Sequence, residues 1–207
     1  QLFLGVDALN RPVILETIKD FTSAILILAP RGSGKSVLIN GMMISFFETL
    51  EEQRRLDEYE LIIADNKGTD FIEVADRFKG SYYQPFNLKD LRELVGRLRQ
   101  HKAEVEGTLE FLKANRISPR HWDELRTGDA KFYVPRKLFL VLDEMKQYFG
   151  SGKQAPKLSK EPTADELALK ERFDLTREFG QIVNWLVEQT RSVGSVICGA
   201  SQSPNKS

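Results

Sequence analysis

An unbroken apolar run, Ala24-Ile25-Leu26-Ile27-Leu28, leads into Ala29-Pro30-Arg31-Gly32-Ser33-Gly34-Lys35-Ser36 and then into a helical period. Because no polar residue alternates within the run, it reads as a strand buried on both faces of a parallel sheet. Downstream, Val37, Leu38, Met42, Met43, Phe46, Phe47 and Leu50 recur at three- and four-residue spacing, the stripe of a helix laid against that sheet. Parallel strands need a crossover, so strand, loop and helix in this order point to an α/β architecture, a mainly parallel sheet flanked by helices.

The alternation continues. Leu61-Ile62-Ile63-Ala64 ends on Asp65-Asn66-Lys67-Gly68, Leu138-Phe139-Leu140-Val141-Leu142 stops on Asp143-Glu144, and a fourth buried strand over 195–201 ends on Gln202. Between them, Leu91, Leu94, Val95, Leu98, Val105, Leu109 and Leu112 keep a helical period over 88–112, as one long amphipathic helix or two. A further helix over 164–192 carries Phe179, Ile182, Val183, Leu186 and Val187 on one side. Upstream, residues 2–6 and 13–17 read as a hairpin around the turn Asn10-Arg11-Pro12. Residues 115–136 read as a loop with a helical turn near 121–126, and 150–162, rich in Gly, Ser, Pro and Lys, as a mobile exposed insertion. No internal repeat interrupts this order, so residues 1–207 are expected to form one domain, with the hairpin and lead-in over 1–23 and the insertion over 150–163.

Composition removes several classes. Thirty Lys and Arg balance thirty Asp and Glu, so the chain cannot coat nucleic acid through its overall field, and any polyanion must be held locally. The longest apolar stretch, residues 24–29, is too short to cross a bilayer. Cys198 stands alone in an apolar run, which suits a small buried hydrophobe and a reducing compartment. Neither His101 nor His121 has a partner at metal-site spacing, and both read as surface or packing residues. Trp122 and Trp185 read as core or interface aromatics, and no Ser-His-Asp or Cys-His arrangement is evident.

The stretch 29–36 has the spacing of a phosphate-binding loop, with Ala29 in the first glycine position. Its glycines let successive amides curl inward at the positive end of the following helix. Ala29, Pro30, Arg31, Gly32, Ser33, Gly34, Lys35, Ser36 and Val37 are therefore the candidate ATP-binding residues. Lys35 would reach the β- and γ-phosphates, and Ser36 would offer its hydroxyl to Mg2+. Asp143, at the carboxyl end of a strand in a parallel sheet, falls where such folds bind ligands and can hold Mg2+ directly or through water. Glu144 is then placed to polarise the water that attacks the γ-phosphate. Adjacent acids can also simply end a strand on its solvated side, and a nucleotide kinase could carry an acid here; the Asp-Glu doublet favours hydrolysis.

Residues 27–45 (ILAPRGSGKSVLINGMMIS), 62–71 (IIADNKGTDF), 140–144 (LVLDE) and 191–204 (RSVGSVICGASQSP) resemble the FtsK/SpoIIIE/HerA motor ATPases. The closest resemblance is to the FtsK-like DNA-translocation proteins of conjugative elements, and it extends to the opening hairpin. It implies a RecA-like phosphate-loop core in which Lys35, Ser36, Asp143 and Glu144 form the nucleotide and hydrolysis set. It also makes Gln202 the sensor of the γ-phosphate, although a solvated strand-end Gln fits the residues too. Arg191 becomes a candidate finger reaching a neighbouring subunit's nucleotide, or else a dipole partner at a helix end. Asp65 and Lys67 correspond to the family's Asp-Pro-Lys cluster with Asn66 in place of Pro, and Asp65 could equally cap the next segment.

The resemblance further implies a Mg2+-dependent ATPase that moves double-stranded DNA in conjugative transfer, working as a homo-oligomeric, hexameric ring. The expected setting is the cytoplasmic domain of a membrane-associated protein, with a membrane or secretion-channel partner engaged by regions outside this stretch. Family motors continue well beyond the glutamine strand and add further parts, so the chain reads as a fragment of a longer protein. The insertion, with Lys153, Lys157 and Lys160, could face a pore or a partner, or be a disordered surface loop. Two other functions remain: a type VII secretion-like ATPase that moves proteins, and a nucleotide-binding interaction module without turnover.

Overall fold

The computed structural model describes residues 2–6, 9–15, 24–117, 135–145 and 155–202. The chain opens with β1 (Leu2–Val6) and β2 (Pro12–Leu15), an antiparallel hairpin in which Leu2 pairs with Leu15 and Val6 with Pro12. Its turn places Asn10 at φ 58°, in the left-handed region that Asn tolerates better than most residues. Then follow β3 (Ala24–Ala29), α1 (Lys35–Glu52), a single 3-10 turn (Leu56–Glu58), β4 (Tyr59–Ala64), α2 (Ile72–Arg77), β5 (Ser81–Tyr83) and α3 (Leu88–Ala114). The described chain closes with β6 (Lys137–Leu142), α4 (Ala164–Val193) and β7 (Val196–Gln202).

Five strands form one all-parallel sheet in the order β3-β7-β6-β4-β5. The strand bearing the glycine loop and the strand bearing Asp143 are therefore separated by β7, as expected of a RecA-like α/β core. One face of the sheet is covered by α1 and α2. Phe46 anchors that layer, with its ring 4.9 Å from Phe139 and 5.0 Å from Tyr59, geometry worth about 1 kcal/mol per pair beyond the area buried. The other face is covered by α3 and α4 through Leu91, Leu94, Leu98, Phe179, Ile182 and Leu186. Ion pairs Arg92–Glu171 at 2.8 Å and Arg99–Glu178 at 2.7 Å tie the two helices on their exposed side.

Several expectations are adjusted. The period over 88–112 belongs to one helix, started by Asn87, whose side chain accepts from the Lys89 amide. Strand β3 is not buried on both faces: Ile25 and Ile27 face α1, but Leu26 and Leu28 are 60% and 59% exposed. An apolar run reports that a strand forms, not where it sits in the sheet or what covers each face. Among the described residues β3 has a sheet neighbour on one side only, and α3 and α4 lie over β4, β6 and β7. The helical turn expected near 121–126, with His121 and Trp122, lies outside the described residues, as does 150–154 of the expected insertion. Residues 157–163 are exposed, and Thr163 begins α4 by exchanging bonds with Glu166. Cys198 and His101 are buried, at 1% exposure each, and Trp185 is half-buried beneath the Lys102 ammonium.

Candidate functional site

The carboxyl edge of the sheet gathers the polar residues that end the apolar runs. Pairing sets this up, because β7 runs in register beside β3 until Gln202 lies opposite Ala29. The Asp143 amide donates to the Ala64 carbonyl at 3.0 Å and the Asp65 amide to the Tyr83 carbonyl at 3.0 Å. Each strand thus stays paired to its last apolar residue, and the acids emerge side by side at the rim.

Ala29 is the last residue of β3, in extended backbone, which explains why a methyl is accepted in the first glycine position. The glycines that matter are Gly32 at φ 77° and Gly34 at φ 83°. A Cβ at either would meet nothing within 4 Å, so the demand for glycine is torsional rather than steric. Residues Pro30, Arg31, Gly32, Ser33 and Gly34 are all exposed, and Ser33 Oγ donates to the Pro30 carbonyl at 2.7 Å, holding the curl. Gly34 caps α1 with no side-chain hydrogen bond and no acid in the first turn. The amides of Lys35, Ser36 and Val37 therefore open the helix without intrahelical partners, as an anion requires. Lys35, 7% exposed, spends two of its three donors on the Ala29 and Pro30 carbonyls at 3.2 Å each.

Across from the loop, Asp143 is fully buried and Glu144 is 8% exposed. Neither Asp143 oxygen makes a hydrogen bond among the described residues. Burial raises the Asp143 carboxyl above its usual range, against the opposing pull of Lys67. Glu144 follows at φ 56°, a left-handed conformation unfavourable for a side chain of its size. Backbone strain of that kind concentrates at functional sites, and here it turns the chain sharply after the strand.

The third component is the loop after β4. Asp65, fully buried, accepts from the Lys67 amide at 2.8 Å, the Asp70 amide at 3.3 Å and the Tyr82 hydroxyl at 2.6 Å. Of the two roles the sequence allows, Asp65 scaffolds its own loop rather than capping α2. Burial, followed by the hydrogen bond to Asp65, pushes the Tyr82 phenol well above its usual value. Asn66, where the resembling family has Pro, pins the turn differently: its Oδ1 accepts from the Phe86 amide at 3.0 Å.

This loop presents two side chains to the site. Asp70 Oδ2 accepts from the Ser36 hydroxyl at 2.7 Å, while Asn40, one turn along α1, donates to the Asp70 carbonyl at 2.7 Å. The Lys67 ammonium lies 3.3 Å from Asp143, 3.6 Å from Glu144 and 3.8 Å from Asp70 Oδ2. Burial pulls its pKa down, but the carboxylates outweigh that and raise it.

Ser36 is thus linked through Asp70 and Lys67 to Asp143 and Glu144 of the sequence-derived set, with Lys35 beside Ser36 at the start of α1. Gln202 reaches the loop through its strand register, and Arg191 stands in the last turns of α4; their side chains lie outside what the structure describes. Asp70 and Tyr82 were missed, although Asp70 lies in the stretch 62–71 that carries the resemblance. A buried carboxylate held only by the Lys67 ammonium among the described residues, and linked through Lys67 and Asp70 to the Ser36 hydroxyl, suits a divalent cation. Among the described residues, no three His, Cys, Asp or Glu side chains converge as a protein-only cage. Mg2+ in nucleotide sites typically takes one or two carboxylates plus phosphate oxygens.

Sheet order, loop and acids together define a RecA-like phosphate-loop core. A solved structure of similar fold is the pCW3 conjugation coupling protein TcpA, monomer form with ATPγS; the match covers 98% of this chain and 48% of that chain at 15% identity, with a TM-score of 0.57. The chain spans about half the length of that coupling protein. No family model matches the sequence, and no curated protein matches it. Among the described residues, no helix is long and apolar enough to cross a membrane.

Proposed function

We propose that this chain is an ATP-hydrolysing motor domain that drives translocation of double-stranded DNA in conjugative transfer. The observation that carries the reading is the meeting of Ser36, at the open N-terminus of α1, with the buried acids Asp143 and Glu144 across one polar loop. The ATPγS-bound coupling protein of similar fold supports it.

In this reading the α1 amides and Lys35 bind the phosphates, Lys35 turning from the loop carbonyls it now holds. Ser36 and Asp143 would hold Mg2+, which when bound supplies charge neutralisation on the phosphate oxygens. Glu144 orients the attacking water and accepts its proton, its carboxylate placed by the sharp turn after β6. Gln202 senses the γ-phosphate, and Arg191 reaches the nucleotide of the next subunit in a homo-oligomeric, hexameric ring. DNA is held by a few basic residues along the ring's channel, which a chain of zero net charge can supply. A membrane or secretion-channel partner is engaged through other regions of the protein, and residues 1–207 act as one ATPase domain.

ATP turnover measured against protein concentration, with and without duplex DNA and at two salt concentrations, tests the reading. Turnover that rises more than linearly with protein and is stimulated by duplex DNA, with the stimulation lost as salt rises, is the expected result. Stimulation by a protein substrate and none by duplex DNA would contradict the DNA cargo. Nucleotide binding with no turnover at any concentration would reduce the chain to a binding module.

A further inference from the structure

Lys67 lies where the site would otherwise need a metal. Its ammonium bridges the Asp143 carboxylate at 3.3 Å and Asp70 Oδ2 at 3.8 Å, and the same Asp70 oxygen takes the Ser36 hydroxyl at 2.7 Å. Through Asp70 it therefore links the two residues read as Mg2+ ligands, with Glu144 on its flank at 3.6 Å. We propose that Lys67 is a tethered cation that neutralises Asp143 and Glu144 before nucleotide binds, and that Mg2+ entering with ATP must displace it. The inference rests on the nucleotide reading above and adds a regulatory residue to it.

Three features make displacement feasible. Asp143 is fully buried with no hydrogen bond to either oxygen, so an uncompensated charge there would be costly, and Lys67 supplies the counter-charge. The Lys67 side chain, by contrast, is 42% exposed on a flexible stem, so it can return to water. Asp70 remains beside both groups: it can keep the departing ammonium in reach while still accepting the Ser36 proton, which leaves a Ser36 lone pair free for the metal. Competition of this kind sets a threshold, because each Mg2+ bound breaks the Lys67 ion pairs. The acids stay neutralised until metal and nucleotide arrive together.

Mg2+ titration of the binding of a fluorescent, non-hydrolysable ATP analogue tests this in the full chain, comparing wild type, Lys67→Met and Lys67→Arg, each checked by thermal unfolding. The proposal expects half-saturating Mg2+ to fall by about five- to tenfold in Lys67→Met, a range between an exposed ion pair and one with a buried partner. Lys67→Arg, which keeps the charge, should need as much Mg2+ as wild type, and binding without Mg2+ should be equal in all three. An unchanged or raised Mg2+ requirement in folded Lys67→Met overturns the proposal and leaves the nucleotide reading standing. So does a loss of Mg2+-free binding, which would make Lys67 a phosphate ligand. If Lys67→Met fails to fold, Lys67→Gln is held to the same expectation. Absence of analogue binding by wild type at every Mg2+ concentration would remove the nucleotide reading and the proposal together.

Discussion

Acidification should weaken the fold through His101, on the buried side of α3. The ring is 1% exposed, and neither nitrogen finds a hydrogen-bond partner among the described residues. Burial, with Arg97 adding a like charge, lowers its pKa from 6.5 to about 4. A depressed pKa means that the folded state binds fewer protons than the unfolded chain, so the contribution is present above 6.5 and is lost as pH falls toward 4. At 1.36 kcal/mol per unit, the full loss is about 3 kcal/mol, and about 2 kcal/mol of it falls between pH 7 and pH 5. Carboxylates with depressed values, such as Glu178 beside Arg99, lose their contributions only below 4.5 and so outside that window. Urea unfolding at half-unit steps from pH 7 to pH 5 reads the slope directly. His101→Leu, which removes two buried polar atoms, should flatten it and gain about 1 kcal/mol at pH 7. Parallel curves for the two proteins would refute the reasoning, because the ring would then have to be hydrated or paired in solution.

Other consequences are separable by single substitutions. Gly34→Ala forces a Cβ into φ 83° and should cost about 1–2 kcal/mol in thermal unfolding while abolishing ATP-analogue binding. Tyr82→Phe removes a hydroxyl bonded to the buried Asp65 at 2.6 Å and should cost about 1–3 kcal/mol by denaturant unfolding; a neutral result would mean that Asp65 finds another donor. Leu26→Ser and Leu28→Ser, on the exposed face of β3, should each stay within about 0.5 kcal/mol of wild type, and a loss of several kcal/mol would show that this face is covered in solution.

The parallel sheet and the phosphate loop were legible because both are local patterns: an apolar run, two glycines at fixed spacing and a helical stripe. The pair Asp143-Glu144 was legible for the same reason, since it abruptly ends such a run. What escaped depends on partners distant in the chain. Strand β5 is three residues long and exists because it pairs with β4. Lys67 was singled out by the resemblance alone, and its ion pair with Asp143 shows only once β4 pairs beside β6; Asp70 looks like an ordinary loop charge until the fold sets it against Ser36 on α1. Hydropathy gave β3 the right element type and the wrong environment, because its position in the sheet is decided by strand order.

ATP turnover and ATP binding measured side by side in wild type and Glu144→Gln, at saturating Mg2+, test the central claim most directly. Glu144→Gln removes the water-orienting base while leaving Lys35, Ser36 and Asp143 in place. The account predicts that binding stays within about twofold of wild type while turnover falls by at least about a hundredfold, as loss of a general base does. Turnover that survives in Glu144→Gln would contradict it.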